Sequence, residues 1–196
     1  EDSDMLERVY GGAVTRIYED GSGSLWFTGD ELGLYNPETG DYTHFDIMDS
    51  ESTYMNSVLC SAPGGRDIYI GTDWGKIFCI KGRDREIDVV YAFPERTRIA
   101  AARFVGDRLW VLSETKGLFV LNVREKRIEK RYDFLLQEAE NKVPAKCLYV
   151  DNQGRMWIGT QQGLYLFDPE REVYRLFTRD VKEPFSLVNN SVWTIA

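Results

Sequence analysis

The chain has 196 residues, 43% hydrophobic and 13% aromatic, which is enough to fill a core and too apolar for a disordered segment. A net charge of −8, with no basic stripe carrying interleaved aromatics, excludes nucleic acid as a partner. No apolar run approaches the roughly 18 residues needed to span a bilayer, so this segment is not expected in the membrane.

The opening stretch "EDSDMLERVY" has neither the basic nor the apolar region of a secretion signal, so it names no compartment. Its "MLERVY" reads as the outer strand of a preceding unit, over residues 1–10. Unit one, about 11–46, opens with the strand "AVTRIYED" and a tight turn at Asp20–Gly23. The strand "LWF", a turn at Gly33, the strand "GLYN" and, after "NPETGDY", the outer strand "YTHF" follow. Unit two, about 55–94, repeats this order as "NSVLCSA", "IYIGT", a turn at Gly75, "GKIFCI" and "VVYAF". Unit three, about 97–134, reads "RIAAARFV", "LWVLS", a turn at Gly117, "GLFVLNV" and "EKRYDF".

The connection that follows, "FLLQEAENKV" from Phe134 to Val143, holds the one expected helical turn. Unit four, about 144–178, reads "AKCLYVD", a turn at Asp151–Gly154, "MWIGT", a turn at Gly163, "GLYLFD" and "VYRLF". Residues 188–196 hold "NNSVWTI", which parallels the first strands and reads as the start of a following unit.

Trp26, Tyr69, Trp110 and Trp157 fill one slot at steps of 41 to 47 residues. The strand around that slot is apolar on both faces, while the fourth strand alternates as a half-exposed strand should. Four short antiparallel strands at this period predict an all-β fold, a partial β-propeller of about four blades. A β-sandwich is the rival, but it does not require the same tryptophan slot four times. The incomplete units at both ends suggest a piece of a larger propeller. Its open blade faces would then favour self-association, or a homodimer of the whole sensor.

The phrase "DNQGRMWIGTQQGLYLFDP", Asp151 to Pro169, resembles the two-component regulator propeller repeat. Unit one departs from it at "FTGDELG", unit two lacks the tryptophan and the D-x-x-G turn, and unit three loses "GT" in "VLSETKG". The resemblance implies the periplasmic sensor region of a bacterial hybrid two-component histidine kinase. It further implies an oligosaccharide as ligand, with the kinase and regulator modules lying outside these residues.

No catalytic constellation emerges. His44 is the sole histidine and sits in an outer strand, no G-x-S-x-G elbow occurs, and "DGSGSLW" is a hairpin rather than a phosphate loop. "GSLWFT" also resembles streptogramin-lyase-type propellers, so a propeller enzyme of lyase or glycan-active type is one alternative. A purely structural, protein-binding scaffold is another. Asp46, Asp49 and Glu51 lack the carboxylate spacing of a calcium loop, and no metal or cofactor is expected.

In a propeller the second-to-third-strand turns and the connections between units share one face, where recognition tends to sit. Trp74 breaks pattern there, in "GTDWG" against "GTQQG" of unit four. Tryptophan at a polar turn position suits stacking on a sugar ring, with Asp73 accepting hydroxyl bonds. Arg96 and Arg98 suit an acidic sugar or, more commonly for arginines, pairing with local carboxylates, and Tyr54 is a weaker candidate. The competing reading has Trp74 covering the end of its blade or docking on another chain. The repeated Trp26, Trp110 and Trp157 are packing residues, because every unit demands them. The cysteines read as small buried hydrophobes. Cys60 and Cys79, on strands one and three of unit two, stand about 9.5 Å apart, beyond disulfide reach.

Overall fold

Short turns leave consecutive strands no choice but antiparallel pairing with their chain neighbours, and each run of four becomes a meander. The computed structural model describes residues 13–46, 58–82, 85–137 and 143–195. These form four four-stranded antiparallel sheets, each with strands in chain order. The first sheet holds β1 (Val14–Glu19), β2 (Leu25–Gly29), β3 (Leu32–Tyr35) and β4 (Tyr42–Phe45). The second holds β5 (Val58–Ser61), β6 (Ile68–Gly71), β7 (Lys76–Ile80) and β8 (Ile87–Ala92). The third holds β9 (Ile99–Val105), β10 (Arg108–Ser113), β11 (Gly117–Asn122) and β12 (Arg127–Tyr132). The fourth holds β13 (Ala145–Val150), β14 (Met156–Thr160), β15 (Leu164–Asp168) and β16 (Val173–Phe177). A single turn of helix, α1 (Phe134–Gln137), links the third sheet to the fourth.

The sheets stack face to face. One core cluster joins the first two sheets through Trp26, Leu32, Ile68 and Ile70. A second joins the middle pair through Ile77, Ile99, Val111 and Leu121, and a third joins the last pair through Leu112, Met156, Ile158 and Phe167. Burial on both faces explains why β10 and β11 are apolar almost throughout. The outer strands β12 and β16 are mostly exposed, as their polar alternation requires. At the other edge the first strands converge: β5 and β13 both pack on β9, and β1 packs on β5. This is the arrangement of propeller blades around an axis.

The repeated D-x-x-G-x-x-W phrase is a clasp. Asp151 Oδ1 accepts the N–H groups of Gln153 and Arg155, while Oδ2 accepts the Trp157 indole N–H at 3.0 Å. Asp20 does the same with Ser22, Ser24 and, at 2.9 Å, Trp26. Gly23 and Gly154 close these turns at φ +80° and +75°, which glycine adopts without strain. Each tryptophan then stacks on an aromatic ring of its own fourth strand or of the residues that end it: Phe45, Tyr132 and Phe177 for Trp26, Trp110 and Trp157. The slot is a packing position, as the repetition implied.

A second device joins neighbouring sheets. Thr72 C=O accepts the N–H of Ile99, the first residue of the next sheet, at 2.9 Å. Thr160 C=O accepts the N–H of Val192 at 2.8 Å in the same way, although residues 188–195 carry no assigned strand. Unit three keeps the device despite losing "GT": Glu114 C=O accepts the N–H of Ala145, the first residue of the fourth sheet, at 2.9 Å, and the turn keeps its hydroxyl bond as well. The Ser113 hydroxyl accepts the N–H of Lys116 at 3.1 Å, as the Thr160 hydroxyl accepts that of Gln162. Leu112 stands in the glycine position and shares a core with the small Ala145.

Cys60 pairs with Tyr69, which pairs with Cys79 on its other side, so the two thiols are separated by a strand and both are free. Burial pushes the Cys60 thiol up to about 12.

Candidate functional site

Three segments meet on one face of the second and third sheets. The β6–β7 turn carries Asp73 and Trp74, the β8–β9 connection carries Glu95, Arg96 and Arg98, and the β10–β11 turn carries Glu114 and Lys116. The half-buried Trp74 is covered on one ring face by the exposed Arg96 guanidinium, 3.3 Å from the ring centroid. At a solvent-facing position such a contact contributes about 0.5–1 kcal/mol. Lys116 pairs with Glu95 across the same face. Asp73 Oδ1 is buried and has no hydrogen-bond partner among the described residues.

Arg98 lies beside Glu114 of the β10–β11 turn. Its Nη1 lies 3.6 Å from Glu114 Oε1, and the same oxygen accepts a bond from Lys146 Nζ at 2.8 Å. The five candidate residues are therefore divided. Trp74 and Arg96 are in contact, Asp73 adjoins them in the turn, and Arg98 joins a separate charged cluster. Tyr54 lies outside the described residues, as do Asp49 and Glu51 of the acidic stretch. His44, on β4, faces Glu31 with Nδ1 3.3 Å from the carboxylate, and both side chains are about half exposed.

The Lys146–Glu114–Arg98 cluster borders a cavity of about 310 Å³ enclosed by the first strands of all four sheets. Arg16 from β1, Arg103 from β9 and Lys146 from β13 line it, along with Trp193. Among the described residues no carboxylate lines the cavity. Lys146 Nζ lies 5.2 Å from the Trp193 ring centroid. Although Arg16 is exposed as a whole, packing around its head group, then the like charges of Arg98 and Arg103, hold its pKa below the usual arginine value. Sequence reasoning concentrated on loops and passed over these cations. The available signal was one positive charge inside three of the four otherwise largely apolar first strands, at Arg16, Arg103 and Lys146.

Residues 138–162 match the family model for the two component regulator propeller. No curated protein matches the chain in sequence. Among solved structures, the chain is similar to the extracellular domain of BT4673 from B. thetaiotaomicron, described as a hybrid two component system. That alignment has a TM-score of 0.73 at 19% identity and covers 92% of this chain and 24% of that one. The extracellular domain of BT3049 from the same organism aligns with a TM-score of 0.57 at 15% identity, over 92% of this chain and 36% of that one. A catalytically inactive virginiamycin B lyase from Staphylococcus aureus, solved with quinupristin, aligns with a TM-score of 0.70 at 15% identity. It covers 86% of this chain and 56% of the lyase. The chain thus spans about a quarter of the length of the BT4673 domain. No helix among the described residues is long and apolar enough to cross a membrane. The chain has a β-propeller fold and carries, at residues 138–162, a two component regulator propeller repeat.

Proposed function

We propose that the chain is part of the extracytoplasmic signal-input region of a hybrid two-component system, a non-catalytic module that responds to an oligosaccharide in the periplasm. The observation that carries this reading is the propeller-repeat match at residues 138–162, in a fold shared with extracellular domains of B. thetaiotaomicron hybrid systems. In this reading Trp74 and Arg96 form the platform on which a sugar ring rests, and Asp73 supplies the acceptor for its hydroxyls. Arg98 and Tyr54 complete the ligand-binding set. Ligand binding shifts the packing of two sensor chains, and the shift is passed towards the membrane and the kinase. The exposed Val173, Tyr174 and Trp193 at the fourth sheet and its flank, with Ile17 on the first, supply apolar surface for self-association or for a sensor homodimer.

Isothermal titration of the chain against a panel of oligosaccharides tests the reading, and saturable binding to at least one is the expected result. Likeness to a lyase propeller favours an enzyme as the alternative. Turnover of a glycan or lactone substrate by the chain would replace the sensor reading with that one.

A further inference from the structure

The axial cavity is lined by three of the 24 lysines and arginines of an acidic chain. With a formal net charge of −8, solvent-facing positive charge is expected to be paired or scattered. Instead Arg16, Arg103 and Lys146 converge on one cavity of about 310 Å³. Lys146 is already partnered by Glu114. Arg16 and Arg103 differ: among the described residues neither has a carboxylate within ion-pair distance, and the hydrogen bond of Arg103 goes to the Ala102 C=O, at 2.8 Å. Two guanidinium groups close enough to repel one another cost stability unless an anion sits between them. Leu59, Ala100, Ala101 and Leu148 add to the lining. Trp193 at the rim adds an aromatic surface beside Lys146.

We propose that this axial cavity binds the acidic group of an anionic sugar, a carboxylate or sulfate held by Arg16 and Arg103 with Lys146 at the rim. This rests on the sensor reading above and narrows its ligand to acidic oligosaccharides. Planar, permanently charged guanidinium groups grip such oxyanions with paired hydrogen bonds. The cavity is at the lower end of the volume range of small-ligand sites, which suits one sugar unit and its acidic substituent rather than a long chain.

Calorimetric titration of the full chain tests the assignment with trigalacturonate, a sulfated chondroitin disaccharide, neutral maltotriose and inorganic phosphate as probes. At least one acidic sugar is expected to bind, and Arg103→Gln or Arg16→Gln to weaken it about tenfold without lowering the melting temperature of the free chain. Raising sodium chloride from about 50 to about 500 mM should weaken it as well, because the site is open to screening ions. Equal binding of maltotriose to wild type and Arg103→Gln, with no acidic sugar bound, overturns the assignment and leaves the sensor reading standing. Phosphate binding without any sugar also overturns it. Failure of all four probes, together with the wider oligosaccharide panel, overturns both readings.

Discussion

Val192 sits over Gly159 as Ile99 sits over Gly71. A Cβ placed on Gly159 would come within 2.8 Å of Val192 Cγ1, and one on Gly71 within 2.7 Å of Ile99 Cγ2. The "GT" of the repeat is thereby explained. Glycine leaves room for the β-branched residue that opens the following unit, and the carbonyl of the next threonine accepts that residue's N–H. Residues 188–195 are seated on the fourth sheet by the contact that seats the third sheet on the second.

Gly71→Ala should therefore destabilise by overpacking, by about 1–3 kcal/mol. Thermal denaturation should show a fall of roughly 2–4 °C for each kcal/mol in a chain of this length. The penalty should be smaller in an Ile99→Ala background, where the clashing methyl is gone. An equal penalty in both backgrounds would place the strain elsewhere.

The Asp151 clasp predicts a pH dependence. Partial burial works against ionisation, but bonds from Arg155, the Trp157 indole and the N–H groups of Arg155 and Gln153 outweigh it, holding the carboxyl at about 2 instead of 3.8. A folded-state value below the unfolded one stabilises the fold above the ordinary value, and the contribution is lost as pH falls through the folded one. Asp151→Asn should thus melt lower than wild type near neutral pH, and the gap should close between about pH 4 and pH 2. A gap independent of pH would mean that the ionised carboxylate is not what the clasp requires.

The cysteines should react in order of exposure. Cys60 and Cys79 are buried and their thiols are pushed up mainly by burial, whereas Cys147 is half exposed, although its pKa is also raised by burial. Alkylation of the folded chain followed by peptide mass spectrometry should label Cys147 first, with Cys60 and Cys79 labelled only on unfolding. A Cys60–Cys79 disulfide in non-reducing mapping would contradict the strand order of the second sheet.

Trp74→Ala removes a half-buried stack outside the core clusters, so the loss of stability should be small, about 1 kcal/mol. Under the proposed function it should abolish most of the oligosaccharide response, and Arg96→Ala should reproduce part of the loss. An unchanged titration in Trp74→Ala would remove this turn from the site.

The blade architecture was legible because each unit repeats the same physical requirements. An aromatic fills the slot on a doubly buried strand in all four units, an aspartate and a glycine close the first hairpin in units one and four, and a glycine closes the second turn in units two to four. Unit three was harder to read. Its "VLSETKG" keeps the hydroxyl function in Ser113 and moves the inter-sheet acceptor to Glu114, whose C=O takes the N–H of Ala145. That bond joins two strands far apart in sequence, so no local pattern reveals it. The candidate site was legible only in part. Trp74 stood out by breaking the repeat, but its cover by Arg96 depends on a turn and a connection meeting in space.

Sequence alone determined the strand content, the repeat and the structural role of the tryptophan slot, since these follow from local turn chemistry and from alternation along single strands. Tertiary structure alone decided which charges meet. Arg16, Arg103 and Lys146 lie in three different units, and they become one cationic cavity only because the first strands converge on a common axis. Long-range electrostatics depends on distances that the order of residues does not specify.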